Sequence, residues 1–116
     1  MKKESTAGAL AGIRVLDVGQ LVAGPFAASL LADHGADVVK VERPGQGDPL
    51  RALGHQKDGV SLWWHACNRN KRTIALDLKK PEQRETFLGL VSVADVVVAA
   101  WSKVKASTGW SLFWCC

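Results

Sequence analysis

The apolar positions of this chain change period several times, and each change marks an element. Arg14 to Val18 is a short apolar run closed by Gly19, the pattern of a buried parallel strand. Gly24-Pro25 then places a proline in the first turn of a helix, where its missing N–H costs nothing. Phe26, Ala27, Leu30 and Leu31 follow at helical spacing and predict the face that lies on a sheet, and Gly35 supplies the stop. Asp37 to Arg43, DVVKVER, reads as a second strand, β-branched at Val38, Val39 and Val41, with Arg43 at its carboxyl end. Ile13 to Arg43 is therefore one strand–loop–helix–strand unit, and its length of about 30 residues suits a single parallel crossover.

Beyond it the pattern loosens and then recovers. Pro44 to Gly59 is rich in Gly, Pro and charge and reads as a long loop. Ser61 to Asn68 carries Leu62, Trp63, Ala66 and Cys67 at helical spacing, predicting a short helix in which the tryptophans belong to the core and not to a stacked base. A cationic turn, Arg69, Lys71 and Arg72, feeds a strand over Thr73–Leu78 that ends in Lys79-Lys80. Pro81 opens another helix, with Glu82 and Glu85 in its first turns complementing the dipole and Phe87, Leu88 and Val91 as its buried stripe. Ala94 to Val98 is a fourth strand. The resulting order, β-α-β-loop-α-β-α-β, argues for an α/β fold: a parallel sheet covered by helices on both faces. Residues 1–12 are small and polar without a period and are expected to be flexible. The segment 13–98 forms the α/β unit, and 99–116 stands apart as a C-terminal tail.

Composition narrows the function. The chain has 116 residues, 47% of them apolar, enough for one modest core. Its net charge of +4 is spread along the sequence with no dense basic block, which disfavours nucleic-acid binding but suits one small polyanion. No window approaches the roughly 18 apolar residues of a membrane span, and no signal-type segment follows Met1-Lys2-Lys3-Glu4, so a cytoplasmic protein is expected. The three cysteines, Cys67, Cys115 and Cys116, have no zinc spacing and read as free thiols. No metal site is expected, because His34, His55 and His65 show no ligand spacing either.

Among candidate chemistries, dinucleotide binding is demoted: the loop after the first strand is GQLVAGP and lacks the Gly-x-Gly-x-x-Gly pattern. A Walker A sequence is also missing. Ligands of open parallel sheets gather outside the carboxyl ends of the strands, so Arg43, ending the second predicted strand, is well placed to meet an anion.

The run GIRVLDVGQLVAGPFAASLLADHGADVVKVERPGQGDPLR, followed by NRNKRTIALDLKKPE and ADVVV, resembles the N-terminal segment of the class III CoA-transferases, the group of formyl-CoA transferase, carnitine CoA-transferase and α-methylacyl-CoA racemase. The resemblance covers about residues 11–98. It implies a Rossmann-like sheet, incomplete relative to the family fold, that binds coenzyme A as a substrate and holds no permanent cofactor. By this likeness Arg43 approaches the ribose and 3′-phosphate end of CoA, and Leu76 and Lys79 line its adenosine end. Gln20, Val22 and Ala23 lie in the loop that faces the thioester; formyl-CoA transferase has a Gln in this loop where Val22 stands, which speaks against formyl/oxalyl specificity.

Family catalysis uses an Asp that attacks the acyl-CoA carbonyl, passing through a mixed anhydride and an aspartyl-CoA thioester before the acyl group reaches an acceptor carboxylate. That Asp lies downstream of ADVVV, and no residue here takes its place. The likeness stops after Val98, where AAWS and then KVKASTGWSLFWCC replace the family's VENF-like turn. A truncated or frame-shifted product, inactive alone, is therefore the expectation. The alternatives are a racemase-like fragment and a non-catalytic CoA-binding or interaction fragment that pairs with a full-length homologue. The family's interlocked homodimer is not expected of so short a chain.

Overall fold

The computed structural model describes residues 8–99. The expectations for Trp101, Trp110, Phe113, Trp114, Cys115 and Cys116, and for residues 1–7, lie outside that range.

The first crossover forms as its pattern predicts. Strand β1 is Arg14–Asp17, helix α1 Ala23–Asp33 and strand β2 Asp37–Glu42. Gly35, with φ of 100°, ends α1 in a Schellman-type turn: the Ala36 N–H donates to the Leu31 carbonyl at 3.1 Å and the Gly35 N–H to that of Ala32 at 2.9 Å. Strand β5 (Lys71–Ala75) and strand β6 (Val96–Val98) complete a sheet of order β5-β2-β1-β6, parallel throughout, with Val15 opposite both Val38 and Val96. The segment predicted as one loop over residues 44–59 holds a 3-10 turn, Pro49–Ala52, and a small hairpin of β3 (Gln56–Lys57) and β4 (Val60–Ser61). Asp58 and Gly59, at φ of 52° and 79°, make its two-residue turn, the Asp-Gly pair that such turns favour. Helix α2 is Leu62–Asn68 and helix α3 Pro81–Val93. Helices thus flank the parallel sheet: α1 packs on β1, β2 and α2, while α3 touches β1.

The side chains that face inward are not those the helical spacing suggested. In α1 the buried positions are Gly24, Pro25, Ala28, Ser29 and Ala32, whereas Phe26 and Leu30 remain 46% and 44% exposed. Small residues let the helix approach the sheet closely, and the core is accordingly Val15, Ala28, Ala32, Ala36 and Val38, flanked by Leu10, Ile13, Leu31 and Val98. Val22, Phe26 and Leu30, four residues apart, form an outward stripe. Likewise Leu62 and Trp63 of α2 are exposed and only Cys67 and Asn68 are buried. The inward stripe of α3 is Gln83, Phe87, Leu90 and Val91, all half-buried, with Leu88 facing out. Residues 8–12, expected to be flexible, are turns docked on the end of α1, with the Leu10 N–H donating to the His34 carbonyl at 2.9 Å. No helix among the described residues is long and apolar enough to cross a membrane.

Candidate functional site

The third long strand begins earlier than its apolar alternation predicts, and that shift builds the site. Strand β5 pairs with β2 from Val38↔Lys71 to Glu42↔Ala75, so Leu76 to Leu78 lie beyond the ladder instead of inside it. The Leu76 N–H still donates to the Glu42 carbonyl at 2.9 Å. After it the chain turns sharply: the Asp77 side chain accepts from the Lys79 N–H at 3.1 Å, and the Lys80 N–H donates to the Asp77 carbonyl at 3.0 Å. Gln83, one turn into α3, steadies this corner by accepting from the Asp77 N–H at 2.6 Å. Neither Asp77 nor Gln83 was singled out by sequence reasoning, although Asp-x-Lys before a helix-opening Pro carries the mark of a side-chain-closed turn.

This corner and the end of β2 enclose a cleft of about 160 Å³ lined by Val18, Gln20, Val41, Glu42, Arg43, Leu76, Asp77, Leu78 and Lys79. Arg43, Leu76, Lys79 and Gln20 therefore meet at one place, at the carboxyl ends of adjacent parallel strands. Val22 and Ala23 do not line it; they begin α1, with both residues exposed. Val18 and Val41 are lining residues that sequence reasoning missed. A second, shallower depression of about 340 Å³ shares Glu42 and Arg43 and runs over Gly45, Gln46, Gly47 and Arg51 to the outer edge of β5.

The exposed cations around β5 and the cleft differ in their partners. Arg69 pairs with Asp33 and Arg72 with Asp37, which ties the segment before and within β5 to the ends of α1 and β2. The Arg69 hydrogen bond is the main reason the Asp33 carboxyl sits below its ordinary range. By contrast, among the described residues neither the Arg43 guanidinium nor the Lys79 ammonium has an ion-pair partner. Both point charges are available to a ligand.

Beneath the cleft lies a buried charge network that no sequence pattern announced. Lys40 is fully buried; its Nζ lies 2.9 Å from Asp48 Oδ2 and 3.7 Å from Asp17 Oδ2, and donates to the Gly19 carbonyl at 2.9 Å. Lys71 Nζ is held by Asp17 Oδ2, the Cys67 carbonyl and Asn68 Oδ1, each at 2.9 Å, and by the Pro25 carbonyl at 2.6 Å. Burial lowers the pKa of Lys71, against the opposing pull of Asp17. Glu42 accepts from Arg51 at 2.8 and 2.7 Å and from the Asp48 N–H at 3.0 Å. Burial pushes its carboxyl up, yet the Arg51 and Asp48 hydrogen bonds outweigh this and leave it below the ordinary range. The Arg51 guanidinium in turn stacks 3.6 Å from the centre of the Trp64 ring. The one available signal was register: in DVVKVER, Lys40 and Glu42 share the strand face of buried Val38.

Two glycines make this arrangement possible. A Cβ on Gly19 would stand 3.0 Å from both Gly24 Cα and Pro25 Cδ, and one on Gly47, at φ of 65°, would stand 2.7 Å from Glu42 Oε2. Among the described residues no cluster of three or more His, Cys, Asp or Glu side chains could hold a metal ion.

Comparison with known proteins gives the arrangement a context. The model of CoA-transferase family III matches residues 10–109. A succinyl-CoA–D-citramalate CoA-transferase of Chloroflexus aurantiacus is 48% identical over 87 residues, which are 74% of this chain and 22% of that protein. A succinyl-CoA:mesaconate CoA-transferase of Haloarcula hispanica is 50% identical over 96 residues, 78% of this chain and 24% of that one. Among solved structures, a CAIB/BAIF family protein from Brucella suis superposes with a TM-score of 0.73 at 40% identity, covering 80% of this chain and 26% of that chain. The chain thus spans about a quarter of the length of the relatives it matches.

Proposed function

The chain belongs to CoA-transferase family III, and from that premise we propose that the cleft at the ends of β2 and β5 receives the phosphorylated adenosine end of coenzyme A. One observation carries this reading: Arg43, just past β2, and Lys79, in the turn after β5, line the same cleft beside apolar Leu76 and Val41. A nucleoside phosphate asks for that combination, a flat apolar surface for base or ribose and fixed positive charge for phosphate oxygens. Parallel-sheet geometry favours the location as well, because ligands settle outside the carboxyl ends of the strands.

The activity we infer for the protein is transfer of CoA between an acyl-CoA thioester and a carboxylic acid, with succinyl-CoA a reasonable first donor to try, since the relatives carry that name. CoA enters and leaves as substrate. Within that activity the described residues do the binding. Glu42 is committed to Arg51 and to the Asp48 N–H, and Asp77 to its own turn, so the reading gives neither carboxylate a nucleophilic role. Gln20, on the loop after β1, lines the same cleft and is the side chain we assign to the thioester side.

Calorimetric titration of the full chain with CoA tests this directly. A hydrogen bond to a charged group contributes about 1.5–3 kcal/mol, so Arg43→Ala is expected to weaken binding roughly tenfold to hundredfold, and Lys79→Ala by a similar factor. Undiminished affinity in both variants would remove the cleft from consideration.

A further inference from the structure

The loop between β1 and α1 is held in an unfavourable shape by side chains from elsewhere. Leu21, a non-glycine residue, sits at φ of 62° in the left-handed region. Its N–H donates to Asp48 Oδ1 at 3.0 Å, across 27 residues of sequence. Two residues earlier, Gly19 is fixed at both ends: its N–H donates to Asp17 Oδ1 at 2.9 Å and its carbonyl accepts from Lys40 Nζ at 2.9 Å. Asp48 is itself anchored, its N–H donating to Glu42 Oε2 at 3.0 Å, and Glu42 immediately precedes Arg43. A chain of contacts therefore runs from Gln20 through Leu21, Asp48 and Glu42 to Arg43, joining the two walls of the cleft from below.

Ion pairs buried this deeply are poor stabilisers, because desolvation offsets most of their attraction. Lys40 and Asp48 are 0% and 3% exposed. We propose that Asp48 is a positioning residue for coenzyme A: by fixing Leu21 in its left-handed conformation, it presents Gln20 opposite Arg43 at the spacing the ligand requires. The proposal rests on the adenosine reading of the cleft, and its test separates the two.

Asp48 also caps the 3-10 turn, accepting from the Leu50 N–H at 2.9 Å. Asp48→Ser keeps a capping oxygen but is too short to reach Leu21, whereas Asp48→Asn keeps the acceptor for both N–H groups; both lose the charge that faces Lys40 Nζ, so the two variants differ from each other in reach alone. With CoA as probe and the full chain, Asp48→Ser is expected to bind at least tenfold more weakly than Asp48→Asn, at a temperature where thermal melts show both folded. Amide hydrogen exchange at Leu21 gives a readout independent of CoA: protected in the parent and in Asp48→Asn, fast in Asp48→Ser. Parent-like CoA affinity in folded Asp48→Ser, equal losses in Asn and Ser, or an unprotected Leu21 amide in the parent would each overturn the proposal. If the parent binds no CoA while Leu21 exchange still follows this order, the loop is positioned as described and it is the ligand assignment that fails.

Discussion

Replacing Lys71 by Met should be among the most damaging single changes in this molecule, and the structure sets the size of the effect. The ammonium is fully buried and has four oxygen neighbours, from Asp17, Pro25, Cys67 and Asn68. Met fills most of the volume but satisfies none of them. Removing one partner of a buried ion pair typically costs about 3–5 kcal/mol, because the other charge stays behind uncompensated. Here the lower end applies, since Asp17 keeps the Gly19 N–H and still has Lys40 at 3.7 Å. A loss of about 3 kcal/mol is a large share of the roughly 5–15 kcal/mol that holds a domain together. At a urea slope near 1.5 kcal/mol per molar it moves the midpoint down by about 2 M, read by far-UV circular dichroism. The double variant Asp17→Asn/Lys71→Met removes both charges and should cost clearly less than the sum of its parts. A midpoint drop under about 0.5 M for Lys71→Met alone would refute the reasoning, since it would mean that the ammonium is hydrated and the network open.

Further outcomes follow from the same geometry. Phe26→Ala should change stability by less than about 1 kcal/mol, because its ring lies on the outward face of α1, while Ala28→Leu, wedged between α1 and the sheet, should cost about 1–3 kcal/mol; urea midpoints of the two variants decide it. Acid should reach the Arg43 wall through Glu42. Its carboxyl is held below the ordinary 4.5, so the stabilisation it provides is complete above that pH and is lost as pH falls through the lowered value. Melting temperature against pH should therefore fall less steeply below pH 4.5 in Arg51→Met, which has already given up the pair. An equal slope in both proteins would contradict this assignment.

How much of this the chain discloses in advance depends on which force wrote the signal. Backbone constraints were legible: Pro25 sits in the first turn of α1 and Gly35 ends it, and the valine-rich β2 and β6 and the short apolar run of β1 mark strands because they answer to local conformational preference. Faces were not. Phe26 and Leu30 look like the buried side of α1 only if burial follows side-chain size, and here the close approach of helix to sheet selects Ala28, Ser29 and Ala32 instead. Lys40 and Glu42 were invisible as buried groups because their neutralising partners, Asp17, Asp48 and Arg51, are brought to them by tertiary structure. The end of β5 was misplaced for a related reason: Leu76 and Leu78 continue an apolar alternation, but the Asp77 turn and Gln83 pull that segment out of the ladder. The Asp58-Gly59 hairpin carries a local signal, an Asp-Gly pair, but the reading of residues 44–59 as one loop passed over it. For the cleft, position at a strand end pointed to Arg43, and family likeness added Leu76, Lys79 and Gln20. Val18 and Val41 carry no chemistry that a pattern could flag.

The most direct measurement is titration of the full chain with adenosine 3′,5′-bisphosphate, the phosphorylated adenosine part of coenzyme A, in parallel with pantetheine. Binding of the bisphosphate that weakens at least tenfold in Arg43→Ala and in Lys79→Ala, with pantetheine alone too weak to detect, is the predicted result. Pantetheine binding without the bisphosphate, or bisphosphate affinity indifferent to both cations, would contradict the account at its centre.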